Sequence, residues 1–416
     1  MSGSAGALAP PGSGAELGRV HTSEPVRVRL AGVAVPVSGA FAVSGLSPEQ
    51  RLVVQCARAL AGSDAEPSVE SLLDSDPGLL LPLAWQHGML PHLSRRVAAT
   101  PEAAVHPSFA PLRAAFLENG VRALNLAGEL ADVAGILAAA GVASLAYKGP
   151  ALAVQAYGDA SLRDYGDLDI VVRKDDLAAA EAALAQAGFR DLAASAADRA
   201  ALLREGHHLQ YRRGTVLVEL HWRFGKTVFG FAEELSGLWD RAEALDLRGR
   251  RVHALSVPDH LLALAIHSSK TMWSSLDATV CMVRLAGRMA PEQWREVVER
   301  ARVWRCEEAL RVSLLLGEHM LGAEYPPALA ACLPPTAGAR RLAARVAAEL
   351  FLEGFGGRSY VLGQLALRPR VRDRLRFAVA ALLHAGAGTS DTAEDARTGL
   401  GALLARPLRM IRRYWR

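Results

Sequence analysis

The chain has 416 residues, of which 51% are hydrophobic, and its 47 basic and 43 acidic side chains give a net charge of +4. This length and composition predict about two or three domains with well-filled cores. The near balance of charge argues against a long nucleic-acid partner, because such partners favour a strong basic excess. The four cysteines form no CxxC pair. Their spacing argues against a disulfide framework and a cysteine-based zinc site, and it favours a reducing, cytoplasmic location.

The two ends of the chain differ in composition from the middle. Residues 1–20 are rich in Gly, Ala, Pro and Ser, which predicts disorder, and they lack the basic and apolar regions of a signal peptide. Within residues 21–46, Val26, Val28 and Leu30 alternate with Arg27 and Arg29, which predicts a short β segment of unassigned role. The basic tail at 403–416 is interpreted as a solvated or packed helix, with a membrane surface or an RNA as alternatives. No hydrophobic run approaches about 18 residues, so no membrane span is predicted.

The segment 47–140 has the periodicity of helices. Its first four residues, SPEQ, form a capping box, in which the first and last side chains bond each other's backbone N–H groups at a helix start. Pro and Gly residues then divide the segment, and a long amphipathic stretch ends at Gly141. The predicted helices cover 48–62, 67–74, 79–87, 89–98 and 109–140.

Between residues 141 and 255 the pattern changes to alternating strands and helices. The predicted strands cover 142–147, 168–172, 208–213 and 215–222, and the predicted helices cover 151–157 and 175–188. Helical spacing returns afterwards, in runs at 258–290, 291–304, 306–322 and 338–353. The sequence therefore predicts an α+β fold. Its small mixed-sheet core at 141–255 is flanked by an N-terminal helical region at 47–140 and a C-terminal helical region at 256–416.

Asp167 and Asp169 form an Asp-x-Asp motif at the start of the strand predicted at 168–172. Because side chains alternate along a strand, both carboxylates project from one face. Two carboxylates so close repel each other unless a cation lies between them, and Mg²⁺ (or Mn²⁺) suits oxygen ligands. Glu219, an acid in a hydrophobic strand, is the candidate third carboxylate. These three residues are the predicted catalytic and metal-binding set.

A basic glycine turn precedes this motif. Lys148-Gly149-Pro150 lies between a predicted strand and a predicted helix, where backbone N–H groups bind phosphate favourably. Lys148, Gly149 and Arg163 are therefore predicted to bind the phosphates of a nucleotide. Pro150 has no N–H group, which removes one donor from the turn.

Several histidines are further candidates for the site. His221 lies on the same strand as the predicted third carboxylate, and it is predicted to contact the nucleotide or to support that carboxylate. His267 and Lys270 share one face of a predicted helix and are predicted to reach the nucleotide. His207 and His208 are candidate zinc ligands together with His221, but their spacing and the lack of cysteine partners argue against zinc.

The runs KGPALA, LRDYGDLDIVV and VELHW together resemble the nucleotidyltransferase superfamily of the DNA-polymerase-β type, and more narrowly a bacterial nucleotidyltransferase family. The resemblance spans about 50–350. It implies a metal-dependent transfer of a nucleoside monophosphate with release of pyrophosphate. The matching positions are Lys148, Gly149, Arg163, Asp167, Asp169, Glu219, His221 and Trp222. The chain departs from the family at Pro150, where the superfamily turn has Ser or Gly, and at Cys281, where a family helix carries Asp and Asp277 lies one turn earlier.

The favoured function is therefore nucleotidyl transfer from an NTP to an unidentified acceptor. A peptide or small-molecule natural product is favoured as the acceptor over tRNA, because the chain lacks a large positive charge. One alternative keeps the fold but uses a nucleotide-sugar or another activated donor on a peptide. The other is a non-catalytic nucleotide-binding or scaffolding protein. The cost of keeping clustered acids argues against this last alternative, whereas Pro150 argues for it.

Overall fold

The structure is a computed structural model that describes residues 45–63, 66–351 and 357–383. The segment predicted to be disordered at 1–20, the predicted β segment at 21–46 as far as residue 44, and the basic tail at 403–416 lie outside these ranges. The described residues confirm the predicted α+β fold, in which a mixed sheet of seven strands is flanked by helices. No helix within these ranges is long and apolar enough to cross a membrane.

The sheet combines parallel and antiparallel pairs. Its strands are β1 (Ser144–Tyr147), β2 (Leu168–Val172), β3 (Arg190–Asp191), β4 (His208–Arg213), β5 (Val216–His221), β6 (Glu243–Leu247) and β7 (Arg250–Ala254). They are ordered β3-β4-β5-β2-β1-β7-β6. Strand β2 runs parallel to β5 and antiparallel to β1, and β1 runs parallel to β7. Strands β4 and β5 form the predicted hairpin around Gly214.

Along the sequence, helices come before, between and after the strands. The N-terminal helices are α1 (Pro48–Ala61), α2 (Val69–Leu73), α3 (Pro77–Gln86), α4 (Leu90–Ala98), α5 (Pro101–Val105) and α6 (Ala110–Ala139). Within the core lie α7 (Gly149–Tyr157), α8 (Leu177–Gln186) and α9 (Ala196–Glu205). The C-terminal helices are α10 (Val257–Lys270), α11 (Leu276–Ala286), α12 (Gln293–Val303), α13 (Glu307–Leu321), α14 (Pro327–Cys332), α15 (Ala337–Glu349), α16 (Gly357–Ala366) and α17 (Val371–Leu383). The predicted capping box opens α1.

The structure adds elements that were not predicted, namely β3, α5, α9, α14, α16 and α17. Two further differences have a clear cause. The helical run predicted at 258–290 is two helices, because Met272 and Trp273 adopt left-handed backbone angles (φ of 54° and 51°) that end α10. The hairpin of β6 and β7 had no counterpart in the prediction. Their hydrophobic alternation is short, because only Leu247 of β6 and Val252 and Ala254 of β7 are buried, and so it is a weak signal of strands.

Hydrophobic clusters cover both faces of the sheet. One face, which includes Ile170 and Leu220, packs in a cluster with residues of α6 and α8. On the opposite face, Leu145 and Val171 pack with α10 to α13. A third cluster joins residues of α1 to α6 with residues of α11, α13 and α15. The division of the chain into regions 47–140, 141–255 and 256–416 stays a prediction. Residues of the first and third of these regions pack together in the third cluster.

Candidate active site

Two acids, Asp169 and Glu219, lie side by side on the sheet face that packs toward α10. They are direct partners in the register of the parallel strands β2 and β5. Tyr147 of β1 and Gln210 of β4 extend the same row across the sheet. The carboxylates are 2% and 8% exposed. Two acids held in adjacent buried positions require positive charge close by.

A second row on the same face supplies part of that charge. His221 and His208 are register partners that lie two residues from Glu219 on β5 and from Gln210 on β4. The Nε2 atom of His221 lies 2.9 Å from Oδ1 of Asp169 and 3.2 Å from Oε2 of Glu219. Nε2 therefore donates to both carboxylates. Glu219 also accepts a hydrogen bond of 2.8 Å from Nε2 of Gln210, so its two oxygens have different partners.

These contacts set the protonation states of the group. Burial alone would lower the pKa of His221, but its hydrogen bonds to Asp169 and Glu219 raise it above the ordinary value. Burial would raise the pKa of Asp169, but the charge of Lys148 and the hydrogen bond from His221 hold it well below its usual range. Burial likewise opposes ionisation of Glu219, and His221 and His208 lower its pKa well below normal. Both carboxylates are therefore ionised at neutral pH.

Lys148 brings the predicted phosphate-binding turn directly to the carboxylates. Its Nζ atom lies 2.7 Å from Oδ1 of Asp169. Burial opposes its charge, but Asp169 raises the pKa of Lys148 above the ordinary value. The backbone of Lys148 has φ of 52°, and its N–H donates to Nε2 of His260 at 3.0 Å. Because this nitrogen accepts, Nδ1 of His260 carries the proton, which it donates to Oε1 of Gln155 at 2.6 Å.

Gly149 fits the turn for a steric reason. It has φ of 42°, and a Cβ atom at this position would lie 3.3 Å from the carbonyl oxygen of Asp167. A side chain would thus be strained by the backbone angle and pressed against the entry to β2. The turn and the start of the Asp-x-Asp strand are in contact through this glycine.

Asp167 is less enclosed than Asp169. It is half-buried, and burial together with the charge of Asp169 raises its pKa to about 6. In the described part of the chain, two groups of three side chains hold potential ligand atoms within 4.8 Å of one another. They are Asp169–Glu219–His221 and His207–His208–His221, and Asp167 belongs to neither. The predicted metal role of Asp167 stays a prediction, whereas the pairing of Asp169 with Glu219 is observed.

Arg163 has an acidic partner that the sequence did not assign to it. Its Nε and Nη2 atoms lie 3.0 Å and 2.8 Å from Oδ2 of Asp277 at the start of α11. Both side chains are 13% exposed. Asp277, one turn before Cys281, thus fixes the guanidinium beside the site. Contact between Arg163 and phosphate stays a prediction.

The two predicted residues on α10, His267 and Lys270, have different surroundings. Nζ of Lys270 lies 3.1 Å from Nε2 of His207, so Lys270 reaches the histidine cluster. Burial, then the charge of Lys270, lowers the pKa of His207 well below normal. The Nδ1 atom of His267 is buried and has no hydrogen-bond partner among the described residues. The Oη atom of Tyr147 is in the same situation.

Four residues that position the site were given no role in the sequence prediction: Gln155, Gln210, His260 and Asp277. A signal existed for His260, which lies seven residues before His267 on an otherwise hydrophobic helix face. No such signal marks Gln210. Its role depends on the register of β4 against β5.

The mixed sheet flanked by helices is the fold that the resemblance to nucleotidyltransferases led us to expect. The family model described as "Uncharacterised nucleotidyltransferase" matches residues 73–322, which is more than half of the chain. The protein belongs to this family, and its membership supports a nucleotidyl transfer activity and a nucleotide as donor substrate. A comparison with curated proteins found no match.

Proposed function

We propose that this protein is a metal-dependent nucleotidyltransferase that moves a nucleoside monophosphate from an NTP to an acceptor and releases pyrophosphate. The observation that carries the proposal is the register of Asp169 against Glu219 on parallel strands. Their buried, ionised carboxylates form a concentrated negative site of the kind that holds a divalent cation. Family membership supports the reaction class.

The donor set fits such a cation. Asp169 and Glu219 offer carboxylate oxygens, and Asp167 at the entry to β2 offers another in the half-buried zone beside them. When bound, Mg²⁺ or Mn²⁺ would neutralise charge on the reacting phosphate. The low pKa of Glu219 suits it to holding a cation better than to removing a proton from the acceptor.

Lys148, Gly149 and Arg163 are the proposed phosphate ligands. The ammonium of Lys148 lies at Asp169, so a phosphate bound to a cation at Asp169 would have this cationic group close by. Asp277 holds the guanidinium of Arg163. Pro150 contributes no N–H group. The proposed phosphate contacts therefore come from the side chains of Lys148 and Arg163 and from the N–H of Gly149.

The rest of the substrate has candidate partners on the same face. The buried Oη of Tyr147 and Nδ1 of His267 have no hydrogen-bond partner in the described ranges. Buried polar atoms of this kind are costly unless something pairs with them. We propose that the donor nucleotide satisfies them, with Lys270 as a further polar partner.

The acceptor in this proposal is a peptide or a small molecule rather than tRNA. The net charge of +4 on 416 residues is small for a protein that neutralises many phosphates of an RNA. A nucleotide-sugar donor acting on a peptide would present the same metal-bound diphosphate. The mass added to the acceptor distinguishes the two donors.

One observation favours a non-catalytic nucleotide-binding protein as the second candidate. Lys148 and His221 already compensate the charges of Asp169 and Glu219 within the chain. The acids can therefore persist without a cation, which weakens the argument that their retention demands a reaction.

A thermal-shift titration tests both candidates. We expect an NTP to stabilise the protein only when Mg²⁺ or Mn²⁺ is present, and we expect the Asp167→Ala/Asp169→Ala variant to lose this shift. A metal-independent shift would favour simple binding. No shift with any nucleotide or nucleotide-sugar would contradict both candidates.

A further inference from the structure

The imidazole of His221 lies against both carboxylates of the proposed cation site. Its Nε2 atom lies 2.9 Å from the nearer oxygen of Asp169 and 3.2 Å from that of Glu219. Two ligand atoms at right angles on an ion with bonds of about 2.1 Å lie about 3 Å apart. Nε2 thus has the spacing of a neighbouring ligand to each oxygen, and the ligand atoms of all three side chains lie within 4.8 Å of one another. A cation among them would take the place of the Nε2 proton, which the same two carboxylates now hold.

The other side of the ring is also arranged as in a metal ligand. Nδ1 of His221 lies 3.4 Å from the carbonyl oxygen of Arg223, and metal-binding histidines commonly donate their second ring N–H to a carbonyl or carboxylate. The ring is 2% exposed and packs edge-on against Tyr147, with 5.5 Å between ring centroids. Its orientation is therefore fixed before any ion binds.

We propose that His221 joins Asp169 and Glu219 as a protein ligand of the cation, and that its imidazole nitrogen makes this donor set select a transition-metal ion such as Mn²⁺ over Mg²⁺. Mg²⁺ prefers an all-oxygen shell, whereas imidazole nitrogen binds transition-metal ions more strongly. The inference rests on the proposed function only in requiring that the carboxylate face hold a cation.

The neighbouring histidines are a weaker alternative. His207, His208 and His221 also lie close enough to share an ion. However, the Nε2 atom of His207 lies 3.1 Å from the ammonium of Lys270 and 3.2 Å from Nδ1 of His208. Both groups have an ammonium close by, Lys270 at His207 and Lys148 at Oδ1 of Asp169, but the three histidines bring no negative charge of their own to offset it. The group that contains both carboxylates is therefore the better cation site.

Electron spin echo envelope modulation of bound Mn²⁺ tests the proposal directly, because it detects nitrogen bonded to the ion and requires no enzymatic activity. We expect ¹⁴N modulation in the unmodified protein, replaced by the ¹⁵N pattern after labelling with ¹⁵N-histidine. This isotope test needs no variant and so does not depend on the folding of one. His221→Gln should abolish the modulation and weaken Mn²⁺ binding at least about tenfold, while matched His207→Gln and His208→Gln variants keep it.

The outcomes separate this inference from the proposed function. Bound Mn²⁺ without nitrogen modulation would overturn the ligand role of His221 and leave a carboxylate-held cation intact. Modulation that survives in His221→Gln and disappears in His208→Gln would also overturn it. Failure of the protein to bind Mn²⁺ at all would overturn the inference and count against the metal in the proposed function.

Discussion

The Nζ atom of Lys148 lies 2.7 Å from Oδ1 of Asp169, and the two side chains are 11% and 2% exposed. A buried ion pair that loses one partner leaves an uncompensated charge, at a cost of about 3–5 kcal/mol. The Lys148→Met variant should therefore lose stability of this order in metal-free buffer, measured by urea unfolding. A divalent cation should restore part of it. The exposed Lys174 provides the control: a Lys174→Met variant as unstable as Lys148→Met would contradict the role given to the pair.

Gly149 is expected to tolerate no side chain. Gly149→Ala should lower the free energy of unfolding by more than the roughly 1–2 kcal/mol that a left-handed backbone costs an L-residue. The excess arises from contact with the carbonyl oxygen of Asp167. Gly214→Ala is the matched control, because Gly214 has φ of 57° and open space at the Cβ position. Equal losses in the two variants, measured by denaturant unfolding, would show that the contact with Asp167 is unimportant.

The pair formed by Arg163 and Asp277 should be strongly coupled. In a double-mutant cycle with Arg163→Met and Asp277→Asn, we expect a coupling free energy of about 2–3 kcal/mol, since both side chains are largely buried. The same cycle on Arg250 and Asp132, whose side chains are 47% and 52% exposed, should give less than about 1 kcal/mol. A coupling no larger than that of the exposed pair would mean that Asp277 does not hold Arg163.

Two buried histidines predict loss of stability in acid. Burial lowers the pKa of His87 to about 4 and that of His92 to about 3, below an unfolded value of about 6.5. The unfolded chain therefore binds these protons first. The stabilising contribution of each neutral ring is complete above pH 6.5 and is lost as the pH falls toward the folded pKa.

The measurement is the free energy of unfolding at about pH 7 and about pH 5. His87→Leu should reduce the difference between the two by about 2 kcal/mol. His106→Leu, at an exposed position, should leave the difference unchanged. An identical pH dependence in His87→Leu and the wild type would be evidence against a buried neutral imidazole at this position.

Local sequence patterns predicted most of the elements that build the site. The hydrophobic residues that flank Asp169 in β2 and the capping box at α1 are local signals, and the strand and the cap were both confirmed. The pairing of Asp169 with Glu219 could only be suspected. It depends on a parallel register between strands about 50 residues apart in sequence, which no local pattern encodes.

The partners of the charged groups were the least predictable part. Asp277 meets Arg163 because α11 packs against α7 and the turn that follows it, and that packing is decided by the hydrophobic clusters. His221 was predicted beside Glu219 from strand alternation. Its second contact, with Asp169, again required the register of β2 and β5.

We propose that the carboxylate face supports nucleotidyl transfer, and the mass added to an acceptor is the sharpest test of this activity. Cell extract is incubated with the protein, isotope-labelled NTPs and Mg²⁺ or Mn²⁺, and the products are analysed by mass spectrometry. We predict a metal-dependent gain of one nucleoside monophosphate, with pyrophosphate release, that is lost in Asp169→Asn and Glu219→Gln. Addition of a sugar, or the same product from both variants, would contradict the claim.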